Sequence, residues 1–169
     1  KQGISKIAFQ LFAEFKDNLL NDTLTAEDYD KIALASMIQG IAFMQSCTCI
    51  PHGMGYPLSH YYDICHGLSC GVFLGEWLKN FKDQSLIQEV ITDCGFKTSD
   101  EFADYVRALT NRDVELEVTD EEIQKWSDQF MAQQTWRIES NPEELTRDDI
   151  YTSSGSATSS GVGVSPVSE

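Results

Sequence analysis

Apolar residues return at three- and four-residue steps along most of the chain. Ile4, Ile7, Leu11, Phe12, Phe15 and Leu19 trace one face, which predicts an amphipathic helix over residues 4–20, ended by Asn21-Asp22. Thr25, with Asp28 three residues on, has the form of a helix start with an acidic first turn. The run from Ile32 to Met44 that follows is apolar almost all round and predicts a buried helix. Leu86, Ile87, Val90 and Ile91 predict a short helix closing at Gly95, and Ser99 opens another with Phe102, Tyr105, Val106 and Leu109 on its inner face. Thr119 precedes Asp120, Glu121 and Glu122, acidic residues that the helix dipole favours in a first turn, and Ile123, Trp126, Phe130 and Met131 supply the stripe. "VELEV" at 114–118 alternates, but it is short and alone between helical segments. The pattern is that of an all-α multi-helix bundle.

From Thr152 the text changes to "TSSGSATSSGVGVSPVSE", in which ten of eighteen residues are Ser or Gly. Too few large apolar side chains remain to offset the entropy of ordering such a segment. The expected organisation is therefore one helical domain over 1–151 and a flexible, disordered tail over 152–169.

Charge narrows the function classes. A net charge of -15 with only twelve Lys and Arg argues against nucleic acid, whose binders carry a basic footprint. The longest apolar run is interrupted by Ser36, Gln39 and Gly40 and is shorter than the roughly 20 residues of a membrane span. The N-terminus runs straight into an amphipathic pattern, with no secretory signal, and the missing initiator Met suggests a start inside a longer chain. Five cysteines, an odd number in no regular framework, read as reduced and mostly buried thiols, and the expected location is cytoplasmic.

All three histidines lie in "PHGMGYPLSHYYDICHG", residues 51–67. On one unbroken helix His52 and His66 would stand about 21 Å apart, too far to share an ion. Asp63-Ile64-Cys65, however, separates two helical patterns, so a turn there can bring the two imidazoles together. At the start of its helix, His66 meets the positive end of the dipole, which favours the neutral imidazole that a metal requires. Tyr56 and His60 follow His52 at four-residue steps along one drifting face, and His60 reads as solvent-facing. Gly53 and Gly55 clear space for a cofactor or a second backbone. Three readings stand at this point: a shared metal site, hydrogen-bonded core histidines, or a small zinc-structured domain using Cys47, Cys49, His52 and His66.

This stretch resembles the iron-containing (group III) alcohol dehydrogenase family. His52-Gly53-Met54, Pro57-Leu58 and His66-Gly67 match that family's His-Gly-Met signature and its second His-Gly pair fourteen residues on, and "NPEELTRDDI" at 141–150 is similar to its segment before the last helix. The resemblance covers about residues 1–150, the family's helical C-terminal domain. It implies that His52 and His66 are ligands of Fe²⁺ or Zn²⁺, with an Asp and a His supplied from further upstream, outside this chain. It implies a small alcohol or aldehyde substrate exchanging a hydride with NAD or NADP, the dinucleotide being bound by an N-terminal domain that the chain lacks. Many members carry a second His where this chain has Tyr56, whose phenol can still donate a hydrogen bond near the substrate. The expectation is the metal and substrate half of such an enzyme, inactive by itself and prone to self-association. The alternative is a non-catalytic helical binding or oligomerisation module.

Overall fold

A computed structural model describes residues 2–44, 46, 48–110, 118–133 and 135–160. Among them there is no strand, and the order is α1 (Gln2–Leu20), α2 (Ala26–Phe43), α3 (Ile50–Tyr61), α4 (His66–Lys79), α5 (Ser85–Asp93), α6 (Ser99–Thr110), α7 (Asp120–Gln133), α8 (Thr135–Glu139) and α9 (Arg147–Ser160). The all-α expectation holds. Most of "VELEV" lies outside the described residues. The helices gather into two compact units, residues 1–47 with 83–102 and residues 48–82 with 103–169.

In the first unit, α1 and α2 form a hairpin and α5 packs on α1. Asp22 turns the chain in the left-handed region at φ 54°, a conformation Asp tolerates better than most side chains. Thr25 then closes a capping box: its hydroxyl accepts from Asp28 N at 3.2 Å, and Asp28 Oδ2 accepts from Thr25 N at 2.9 Å. Those donors, the Thr25 backbone N–H first, then its hydroxyl and the Asn18 amide, hold the Asp28 carboxyl below the usual carboxylate range. Phe12 and Phe15 meet edge to face at 5.5 Å, and Ile87, Ile91 and Cys94 are buried. Gly95 sits at φ 82°, where an added Cβ would lie 3.1 Å from Ala13, so both conformation and space require glycine.

The expectation of a buried second helix is corrected here. Only Asp28 and Ala35 of α2 are buried, while Leu34, Met37, Ile41 and Phe43 are exposed, as is Met44 beyond its end. Being apolar all round satisfied the contact with α1 on one side and left an uncovered apolar face on the other. A cleft of about 570 Å³, lined by Ile4, Phe9, Ala42, Leu86 and Val90 among others, also belongs to this unit and contains no histidine.

The second unit is built on the hairpin of α3 and α4, covered by α7, α8 and α9. Ile50, Met54 and Leu58 recur every fourth residue along α3 and meet Phe73 of α4, Trp126 and Phe130 of α7, and Ile150 of α9 in one core. Gly55 lets α4 approach: a Cβ there would be 3.1 Å from the backbone of Ser69 and Cys70. The close approach expected at Gly53 and Gly55 is thus made by the Phe130 ring and by the α4 backbone, respectively. Thr146 opens α9 with another capping box, Asp149 Oδ2 accepting from Thr146 N at 2.8 Å.

The boundary expected at Thr152 also moves. α9 continues to Ser160, with Ser153 and Ser154 buried, and Ser154 Oγ donates to the Ile150 carbonyl at 2.8 Å. Small hydroxyl side chains suit a helix pressed against α4 and α7, and packing supplies what composition lacked. Residues 161–169 lie outside the described set. Among the described residues no helix is long and apolar enough to cross a membrane.

Candidate metal centre

Two helix starts and one turn assemble the site. Cys49 caps α3, Pro51 occupies its first turn, where a missing N–H costs nothing, and His52 follows. The chain leaves α3 at Tyr62 and reverses through Asp63 at φ 55°, and Cys65 caps α4, whose first residue is His66. Ser69, fully buried, fixes the register of the two helices: its Oγ donates to the Cys65 carbonyl at 2.9 Å and meets Ser59 Oγ at 2.6 Å.

The result is that His52 Nε2 and His66 Nε2 face each other at 3.0 Å. The break anticipated at 63–65 does bring the two imidazoles together. Tyr56, one turn after His52, stacks on the His66 ring at 5.6 Å with an 18° interplanar angle. Burial, then the neighbouring His66 and Arg137, push the His52 pKa down, so its neutral form is favoured. Its Nδ1 is buried without a hydrogen-bond partner of normal geometry among the described residues. His66 is exposed, so the pair opens to the surface.

These residues fit a divalent cation. Metal–nitrogen bonds of about 2.0–2.1 Å place two imidazole nitrogens roughly 2.9–3.4 Å apart for angles between octahedral and tetrahedral. The observed pair lies inside that range, and neutral imidazole is a borderline donor suited to iron or zinc.

Two neighbours escape a reading of the sequence. Cys70, one turn after His66, brings Sγ to 3.7 Å from His66 Nε2, and His52, His66 and Cys70 form a group whose donor atoms all lie within 4.8 Å of one another. Burial raises the Cys70 thiol pKa and Arg137 opposes that. The four-residue step from His66 was available as a signal once His66 was placed on α4. Arg137 of α8 is buried, its Nη2 donates to Tyr56 Oη at 3.3 Å, and its guanidinium lies over the rings of Trp136 and Tyr56 at 4.1 and 5.5 Å. Nothing in "TWRIE" points to that partner 81 residues away.

His60 stays apart from this group, exposed and packed against Tyr61. Cys49 is also outside it, and Cys47 lies outside the described residues. The expectation of mostly buried thiols is corrected: of the described cysteines, Cys94 is buried, Cys49 and Cys70 are half-buried and Cys65 is exposed.

The profile of the Fe-containing alcohol dehydrogenase family, C-terminal, matches residues 4–154. Two solved structures share the fold: an iron-containing alcohol dehydrogenase, and another from Thermotoga maritima. Each has a TM-score of 0.76 and 20% identity, and the alignment covers 94% of this chain. The chain spans 42% of the length of each of those proteins. No curated protein sequence matches it. With the helices of the described residues laid out in that fold and the family's profile running over residues 4–154, the chain belongs to the Fe-containing alcohol dehydrogenase family, as its C-terminal domain.

Proposed function

We propose that this chain is the metal- and substrate-binding portion of a divalent-metal, NAD(P)-dependent alcohol dehydrogenase. The observation that carries the reading is the 3.0 Å approach of two imidazole nitrogens on the α3–α4 helix hairpin. His52 and His66 hold Fe²⁺ or Zn²⁺, which when bound supplies Lewis acidity to the oxygen of a small alcohol or aldehyde. Both rings contribute as neutral imidazoles, a state that burial favours at His52. Tyr56 stacks on His66 and accepts a hydrogen bond from Arg137, which leaves its own O–H hydrogen to donate to the substrate oxygen. Arg137 thereby positions the phenol. The dinucleotide, NAD or NADP, is held by a separate N-terminal domain, and the free thiols of Cys65, Cys70 and Cys94 suit a reducing, cytoplasmic setting.

Metal titration of the chain tests this. Co²⁺ or Zn²⁺ should bind, His52→Ala and His66→Ala should each weaken binding about tenfold or more, and circular dichroism should stay unchanged. Unchanged affinity in both variants would sink the assignment. The chain by itself should give no alcohol-dependent reduction of NAD or NADP, and measurable turnover would refute the division of labour.

The exposed face of α2 favours a second role, in self-association: Leu34, Met37 and Ile41 recur at three- and four-residue steps and continue to Met44. Light scattering should report homo-oligomers at high concentration, and a strictly monomeric profile would remove that role.

A further inference from the structure

We infer that Cys70 is a third protein donor of this centre, so that the chain presents two imidazoles and one thiolate, a set suited to zinc. The inference rests on the metal reading above and adds a ligand to it. Cys70 follows His66 by four residues on α4, the step that stacks two side chains on one helix face. Bonds of about 2.0–2.1 Å to nitrogen and 2.3 Å to sulfur place those atoms roughly 3.6 Å apart around a tetrahedral ion. The observed separation between Cys70 Sγ and His66 Nε2 is 3.7 Å. One donor atom from each of His52, His66 and Cys70 lies within 4.8 Å of the other two.

The backbone holds this arrangement. Cys70 N lies 3.1 Å from where a Cβ on Gly55 would be, and Ser69 beside it is tied to both the Cys65 carbonyl and Ser59. Cys70 is therefore fixed against α3 within the turn that carries His52. Cys65, at the α4 cap, and Cys49, at the α3 cap, do not belong to the group. Coordination forms a sulfur–metal bond and releases the thiol proton to water, with no change of oxidation state. A soft thiolate beside two imidazoles raises the preference for zinc and cobalt over iron and manganese.

Titration of the 169-residue chain with Co²⁺ reads the donor set directly. The expected result is a near-ultraviolet thiolate-to-cobalt band that Cys70→Ser abolishes while weakening Co²⁺ binding about tenfold or more, and that Cys49→Ser and Cys65→Ser retain. In the unmodified chain, Zn²⁺ should slow alkylation of Cys70, mapped by mass spectrometry, and leave Cys65 reactive, a measurement that does not depend on how the variant folds. Cobalt binding that lacks the band, or a band that follows Cys49 or Cys65, would overturn the Cys70 assignment while leaving the two-histidine reading intact. No Co²⁺ binding would overturn both.

Discussion

Among the described residues the helix hairpins α1–α2 and α3–α4 are each turned by an Asp in the left-handed region. What they do with their faces differs. In α3–α4, Gly55 brings the backbones close, Ser69 locks the register, and the core side of α3 is completed by Met54 and Leu58. The polar ends of the two helices then project His52 and His66 at a common point. In α1–α2 a glycine is present as well, but Gly40 has nothing within 4 Å of where a Cβ would stand, and Leu34, Met37 and Ile41 face outward. Close backbone packing fixes side chains to within tenths of an ångström, as a metal site requires. A hairpin packed on one side only offers a surface instead.

That contrast can be broken from the inside. Leu58→Ala removes a fully buried side chain from the core beneath His52 and should destabilise the second unit by about 3 kcal/mol in urea unfolding. A loss under about 1 kcal/mol would mean that the core does not hold the site.

The glycines sharpen it with opposite signs. Gly55→Ala forces backbone against backbone and should cost about 1–3 kcal/mol, with a fall in metal affinity as the hairpin spreads. Gly40→Ala fills open space in a helix interior and should stabilise by up to about 1 kcal/mol. Equal signs in parallel thermal melts would erase the distinction.

A smaller effect belongs to the first unit and depends on pH. Burial pushes the Cys94 thiol from its ordinary 9.0 up to about 12. The native chain keeps that proton where the unfolded chain has lost it. The stabilising contribution is thus whole below about pH 9 and falls as pH rises toward 12, by about 1 kcal/mol at pH 10. Cys94→Ala should flatten the slope of stability between pH 9 and 11, and an unaltered slope would show that the thiol is solvated.

Smallest of all is the outer face of α2. Ile41→Lys should change stability by less than about 0.5 kcal/mol while shifting the sedimentation profile toward monomer. A large loss of stability would show that the face is covered within the chain.

Local signals in the sequence specify most of the helices: periodicity and caps predict α1 to α7, whereas α8 and the full extent of α9 are not predicted. Thr25 with Asp28, Thr119 with Glu122 and Thr146 with Asp149 all form the reciprocal caps whose residue types are local signals. The break between α3 and α4 and the fourteen-residue spacing of His52 and His66 were legible for the same reason, since turns and helical periods act over a few residues. Tertiary structure decided the rest. Whether the apolar run of α2 is buried depends on what packs against it, and the helix through Ser153 and Ser154 depends on α4 and α7 covering it. That Arg137 reaches Tyr56, and that Cys70 lies across from His52 as well as beside His66, follow from how closely α3, α4 and α8 approach. Those distances come from side-chain volumes filling one core, a property of the whole packed unit that no short stretch of sequence contains.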